Sequence, residues 1–561
     1  MFKSPRPRFL MVAFSFTAML ILVLSACGAQ GTPTTGPATT KPVQGGTWID
    51  DIPNEPGSLI PNGDSQTFDI VVEQSIYAPA FVGDYTGKIT PGIVKEIPTL
   101  ANGEVSPDLK TWTFKLRPGL KWSDGQPLNA DDFDFTWRLW DNPKFGAAST
   151  VGYNQITSDD ISADKLTITF HLKSGFAPFL SLWTDGGGSP LPMHHFASMA
   201  PDAILKSKDS LNPSVTSGPF MMSESVPGDH YTVVRNPNYY RASEGLPHLD
   251  KIIFRPIANE DTILKDLQAG SITSSWFLDV SKTATYKTLT NYQLAVNPNS
   301  SNYEVMLFNL KNPILGKNLD VRKAMAMAID HNALITTARL GQATPLCTDH
   351  GKSLNPGYQA NAPCPKFDPA AANALLDQDG WVKGPDGVRA KNGQRLEFNY
   401  ATTTGKPWRL SDELILQSNF KDIGVKINIK NYPASTYFGQ FLPNGQHDLA
   451  EFENTYTYDP DDASVLDCTQ QGTNGLNWSF YCNPQMQQYL KEEQSTADPV
   501  ARQAAFDKIH GLELTDFPFA ILYSPADQGI AKLTAHNYAP GPQGASETVN
   551  VWDWWCTGGK C

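Results

Sequence analysis

The residues able to do chemistry are few and scattered. His194 and His195 are the only adjacent histidine pair. Neighbouring side chains diverge on most backbones, so they are not expected to share a metal. Asp459, Asp461, Asp462 and Asp467 make an acidic run without calcium-loop spacing, which reads as a solvated loop. Gly186-Gly187-Gly188 precedes no phosphate-type helix start and reads as a flexible turn. No G-x-S-x-G, H-E-x-x-H, Walker loop or G-x-G-x-x-G occurs, so no catalytic set, cofactor or resident metal is expected. The distinctive feature is aromatic density in loop-like stretches near the C-terminus: Trp408, Tyr432, Tyr437, Tyr456, Tyr458, Trp478, Phe480 and Tyr481, set among Gly, Asn and Asp. Aromatic faces stack on a ligand while polar neighbours bond its edges. Trp408, Tyr456, Tyr458, Asp459 and Trp478 are therefore the candidate ligand contacts; the alternative is that several of them cover the core.

The chain has 7 cysteines. Cys27 stands apart. It follows Lys3, Arg6 and Arg8, an apolar run from Phe9 to Leu24, and the small residues Ser25 and Ala26. That order describes an export signal removed before Cys27, not a membrane span. Leu24-Ser25-Ala26-Cys27-Gly28 is similar to the lipobox of bacterial lipoproteins, whose cysteine carries lipid. Residues 1–26 read as signal peptide and 27–44 as lipidated Cys27 plus a Thr-, Pro- and Gly-rich stalk unable to build a core. Each buried lipid CH₂ contributes about 0.8 kcal/mol of membrane affinity. Acyl chains on Cys27 would thus hold the protein to the outer face of a membrane, at the cell surface or in a periplasm. The other cysteines lie close in sequence as Cys347 and Cys364, Cys468 and Cys482, and Cys556 and Cys561. Other pairings are possible, but proximity favours these as disulfides. With no C-x-x-C and an oxidising compartment, metal ligation is the weaker reading.

These groups need a scaffold. From Gly45 the body is long enough for roughly two to four domains. A hydrophobic content of 40% and an aromatic content of 11% allow a large core. A net charge of −13 argues against nucleic acid as a partner, since phosphate requires basic stripes. Trp112, Phe114 and Leu116 alternate with polar residues, as do Leu166, Ile168, Phe170 and Leu172, predicting half-buried strands. Between them Asn129 caps a helix carrying Phe133, Trp137 and Trp140. Further helices are predicted over Asp320–Arg339, from Asp368-Pro369 to Gly380, and over Leu410–Ile423, the last followed by a strand through Val425, Ile427 and Ile429. Such units indicate mixed α/β layers.

Several longer motifs then occur in order: Gly45-Gly46-Thr47; the run from Ser106-Pro107-Asp108 through Trp112, Trp122-Ser123-Asp124-Gly125 and Asn129-Ala130-Asp131-Asp132; Ser217-Gly218-Pro219-Phe220; Arg235-Asn236-Pro237-Asn238-Tyr239-Tyr240; Leu249–Phe254; Leu267-Gln268-Ala269-Gly270; Phe308-Asn309; Val321-Arg322-Lys323-Ala324; Ala328-Ile329-Asp330; Asp459-Pro460; and Tyr481-Cys482-Asn483-Pro484. In these the chain resembles extracytoplasmic solute-binding proteins of family 5, the oligopeptide, dipeptide and nickel type that feed ABC importers.

The resemblance implies a mixed α/β, two-lobed, periplasmic-binding-protein-like fold of type II with three domains and a hinge. Residues 45–83, 216–302 and 526–561 would form the core of lobe 1, 84–215 an inserted subdomain, and 303–525 lobe 2. It implies a monomeric binding protein, not an enzyme, that captures a peptide or other small solute between the lobes and hands it to a permease and ATPase complex. In peptide binders of this type an aspartate shortly before the Asp-Pro loop pairs with the α-amino group. Tyr456 stands at that position, with Glu451 and Glu453 nearby. A non-peptide solute, such as an oligosaccharide or a nickel chelate, is the alternative.

Overall fold

Strand formation follows the alternation of side chains. In Thr111–Lys115, Trp112 and Phe114 are buried while Thr111, Thr113 and Lys115 are half-exposed. The strand pairs antiparallel with Thr167–Leu172, placing Trp112 opposite Phe170 and Phe114 opposite Ile168. Ile156–Ile161 completes this three-stranded sheet. The helix Ala130–Trp140 packs its aromatic face against it and starts with a capping box: Asn129 accepts from the Asp131 N–H, and the Asp132 carboxylate accepts from the Asn129 N–H.

The computed structural model describes residues 41–561 apart from Ser65, residues 85–87, 298–299, Asn355, Thr457 and 541–546. The signal peptide, Cys27 and most of the stalk lie outside the described residues. Among the described residues no helix is long and apolar enough to cross a membrane.

Two larger mixed sheets define the two lobes. The first has seven strands in the order 292–297, 527–532, 274–276, 47–52, 251–256, 230–235 and 220–226. Its centre is parallel, Thr47–Ile52 lying between 251–256 and 274–276, and its flanks are antiparallel. The second has six strands in the order 343–344, 519–525, 303–308, 449–454, 397–401 and 426–429. One continuous buried cluster runs from Trp48 in the seven-stranded sheet to Phe114 and Trp183 beside the three-stranded one. The six-stranded sheet carries separate clusters on its two sides, one around Met306, Phe398 and Phe420 and the other around Val305, Phe452 and Phe506.

The chain passes between the two larger sheets twice. Tyr292–Asn297 in one leads to Tyr303–Phe308 in the other, and Phe519–Pro525 leads back through Ala526 to Asp527–Lys532. The passages are neighbours: Asn297 pairs with Asp527 and Glu304 with Tyr523.

Three sequence expectations are corrected. The helix expected over Asp320–Arg339 ends at Met327; Asp330 accepts from the Ala333 N–H and starts a new, wider turn over Leu334–Ala338. The triglycine is a tight, packed turn. Gly186 lies so close to the helix Thr67–Ile76 that a Cβ would fall 2.5 Å from the Gln74 nitrogen. The acidic run is not a solvated loop: Asp459 is clamped by both Arg502 Nη atoms at 2.8 Å, and Asp462 is fully buried. The sulfurs of Cys347–Cys364, Cys468–Cys482 and Cys556–Cys561 lie 2.00, 2.13 and 1.98 Å apart.

Candidate functional site

Between the sheets lies a void of about 1250 Å³, counting its open mouth. From the seven-stranded side it is lined by Asn54, Gln66, Phe68, Ile70, Trp276 and Phe277, and from the six-stranded side chiefly by Lys406, Arg409, Phe438, Phe452, Glu453 and Trp478. A second chamber of about 1070 Å³ adjoins it, with Ile70 and Thr455 lining both. The second chamber is acidic: Asp64, Glu73, Asp185, Asp459 and Asp461 face it.

The larger chamber combines aromatic walls with charged groups at the back. Phe277 ends the strand Ser274–Trp276 with φ +59°. The left-handed region costs a bulky L-residue roughly 1–2 kcal/mol, and in this conformation the ring packs edge-on against Phe68 in the cleft wall and Trp408 behind it. Lys406 and Arg409 are already paired. Lys406 Nζ donates to Glu260 at 2.9 Å, and Arg409 Nε donates to Glu304 at 2.8 Å.

Glu453 is different. Its Oε1 accepts from Asn302 Nδ2 at 2.8 Å, but Oε2 has no hydrogen-bond partner among the described residues. Burial, then repulsion from Asp527 and Glu304, pushes its pKa up to about 8. The carboxyl is thus held back from ionising, and a cation entering the cleft would supply the charge it lacks. Glu451, on the same strand face as Glu453, does not line the void and accepts from the Tyr400 hydroxyl.

The candidate contacts do not form one cluster. Trp478 lines the large chamber, edge-on to Phe452 with ring centroids 5.5 Å apart. Tyr456 and Asp459 line the acidic chamber. Tyr458 packs against Gly83, where a Cβ would fall 1.8 Å from Cζ, so the glycine leaves space for the ring. Trp408 lines neither chamber. It sits behind the wall, under Phe277 and within 5.2 Å of Lys406 Nζ. Sequence reasoning missed Phe277, Lys406, Arg409 and Asn302, whose roles depend on long-range pairing. Glu453 carried the one legible signal, its nearness to the Asp-Pro loop.

Two lobes joined by two strands around an aromatic cleft, with an unsatisfied carboxyl at its back, define a protein built to enclose a solute. The profile of the bacterial extracellular solute-binding proteins, family 5 Middle, matches residues 91–475, and the chain belongs to that family. It is 24% identical over 556 residues to the oligopeptide-binding protein AppA of Bacillus subtilis, covering 97% of this chain and 98% of the relative. The structure of AppA in complex with a nonapeptide superposes with a TM-score of 0.84 at 22% identity, covering 92% of this chain and all of that one (100%). NikZ from Campylobacter jejuni in complex with Ni(L-His) gives a TM-score of 0.80 at 24% identity, covering 91% of this chain and 99% of that one.

Proposed function

We propose that this protein is the substrate-binding lipoprotein of an ABC importer and captures peptides by their free amino end. The observation that carries this reading is Glu453, a half-buried residue on the wall of a large aromatic cleft whose Oε2 has no hydrogen-bond partner among the described residues. A peptide ammonium would ionise it and satisfy Oε2, while Phe277, Phe452 and Trp478 stack on side chains of varied shape. The peptide complex of the related AppA supports the class of ligand. The passages at Ser300–Asn302 and Ser524–Asp527 serve as the hinge, and ligand contacts on both walls favour the closed arrangement that a permease reads. The chain acts as a monomer and does no chemistry on its ligand. Lipid on Cys27 keeps it beside the permease, and the stalk gives it reach.

The test begins with unfolding and refolding to strip carried ligand, followed by thermal melting against di- to hexapeptides, oligosaccharides and nickel chelates. A ligand that binds only the folded state raises the melting point in proportion to RT ln(1 + [L]/Kd). Peptides with free amino ends are expected to raise it. A shift with a sugar or nickel chelate and none with peptides would replace this reading, and turnover of any peptide would overturn the non-enzymatic role.

A further inference from the structure

Behind the cleft, inside the second lobe, three carboxylates and two imidazoles meet, with no lysine or arginine ion-paired to them among the described residues. We infer that Asp349, His350, Asp462 and His510 bind one divalent metal ion of the zinc class, with the buried Glu513 beside them. One ligand atom from each of Asp349, His350, Asp462 and His510 lies within 4.8 Å of the others. These four residues are 0% exposed and Glu513 is 2% exposed.

The site is short of positive charge and of partners. His350 Nε2 lies 2.7 Å from Asp462 Oδ1. His510 Nε2 lies 3.5 Å from Asp349 Oδ1 without forming a hydrogen bond. Among the described residues, Asp349 Oδ1, Asp462 Oδ2, both His510 nitrogens and both Glu513 oxygens have no hydrogen-bond partner. The Tyr456 hydroxyl sits 2.6 Å from Asp349 Oδ2 and 2.5 Å from Asp462 Oδ1. A phenol has one hydrogen, so it satisfies one of these carboxylates and leaves the other oxygen against its lone pairs. Buried charges without partners cost several kcal/mol each, and orphaned buried polar atoms call for a missing ion or water. A divalent cation removes both deficits at once.

Two imidazoles with carboxylates select zinc-like ions over calcium or magnesium, which take oxygen ligands. The support around them fits as well. His510 and Glu513 are one turn apart on the helix Pro499–Asp516 and share a face. His350 Nδ1 faces Gly357, 2.6 Å from where a Cβ on that residue would fall, so only a glycine there leaves room for the ring. Asp349 and His350 lie in the loop closed by Cys347 and Cys364, and Asp462 ends the segment that starts at Thr455 in the cleft wall. Full burial makes this a structural ion acquired on folding, separate from any cargo in the cleft. The sequence expectation of no metal rested on local spacing, and these ligands come from three distant segments.

The full chain, purified without a histidine tag or chelator, is assayed for metals by mass spectrometry; one zinc-class ion per chain is expected. It is then unfolded with a chelator, disulfides intact, and refolded without metal, with zinc, or with cobalt. The metal-free form is expected to melt at lower temperature, zinc to restore the melting point, and cobalt to give visible absorption bands of imidazole and carboxylate coordination. His510→Ala and Asp462→Asn are expected to lose the ion. If His510→Ala does not fold, the near-isosteric Asp462→Asn and the wild-type cobalt spectrum decide. No bound metal together with identical melting in all three refolded forms overturns the proposal in favour of a proton-sharing network. Uptake retained by both variants overturns it in favour of an ion elsewhere. None of these readouts involves the cleft ligand, so they succeed or fail independently of peptide binding.

Discussion

Asn302 joins Glu453 in the cleft wall to the passage between the lobes. Its Nδ2 donates to Glu453 Oε1 at 2.8 Å and also lies 3.1 Å from Asp527 Oδ1. Asp527 accepts from Ser300 at 2.6 Å, and Ser524 Oγ donates to the Asn302 carbonyl at 3.0 Å. The group proposed to meet the ligand is thus one hydrogen bond from the first passage, at Asn302, and two from the second, at Asp527.

Glu453→Gln is expected to weaken binding of peptides with a free amino end by about 10- to 100-fold, the equivalent of one charge-assisted hydrogen bond of roughly 1.5–3 kcal/mol. Binding of N-acetylated peptides should be unchanged by the substitution, and the melting point of the free protein should not fall. Calorimetry of paired free and acetylated peptides checks this; equal losses for both would remove Glu453 from amine recognition.

The pH dependence has a definite sign. Glu453 is pushed up to about 8 by burial and by Asp527 and Glu304, against the smaller pull of Arg339 and Arg409. Glu73 also rises to about 8, chiefly by burial, and Asp50 and Asp185 to about 7, likewise by burial. Folded-state pKa values above the unfolded ones mean the native state holds more protons, so stability present at low pH is lost as pH rises through the folded values. The ligand-free protein should therefore melt at progressively lower temperature between about pH 5 and pH 8 from these groups. Ammonium-bearing ligands should release a proton on binding near pH 7, seen as a buffer-dependent binding enthalpy. Flat melting across this range would contradict the assignment.

Trp408 and Phe277 should separate stability from binding. Trp408 is 3% exposed and packs behind the wall, so Trp408→Ala should cost about 3–5 kcal/mol of stability. Phe277→Ala keeps the Cβ and so leaves the left-handed strain unchanged while removing a wall ring, so its main effect should be on affinity. Denaturant melts and titrations on both variants check the split; a reversed pattern would place Trp408 in the site.

Cys27→Ser should leave the chain unprocessed or release it from the membrane. Fractionation with mass analysis of the mature N-terminus reads this out. A Cys27→Ser chain that is correctly cut and still stays membrane-bound would end the lipid-anchor proposal.

What could be read from sequence was local. The strands around Phe114 and Phe170 announced themselves because one face of each is buried and period-two alternation records it. Asn129 announced its helix because its capping partners lie within three residues. The acidic run misled because what buries it is remote: Arg502 holds Asp459, and His350 meets Asp462. The break at Asp330 hid among small apolar residues compatible with a continuous helix, and only the new turn it caps reveals it. Trp408 carried an aromatic signal, but the depth of an indole behind a wall depends on Phe277, whose neighbouring strand comes from the other lobe.

The pairing of the two interlobe passages has a mechanical consequence. Asn297 opposite Asp527 and Glu304 opposite Tyr523 tie the two passages together at both ends, in the manner of a ribbon, instead of leaving them as two independent threads. A ribbon bends readily about an axis lying across it but resists sliding and shear, because sliding breaks its hydrogen-bond register. Opening and closing are thereby confined to nearly one degree of freedom. Each closure should return the walls to the same alignment, presenting a docking partner with one reproducible outline whatever solute lies inside.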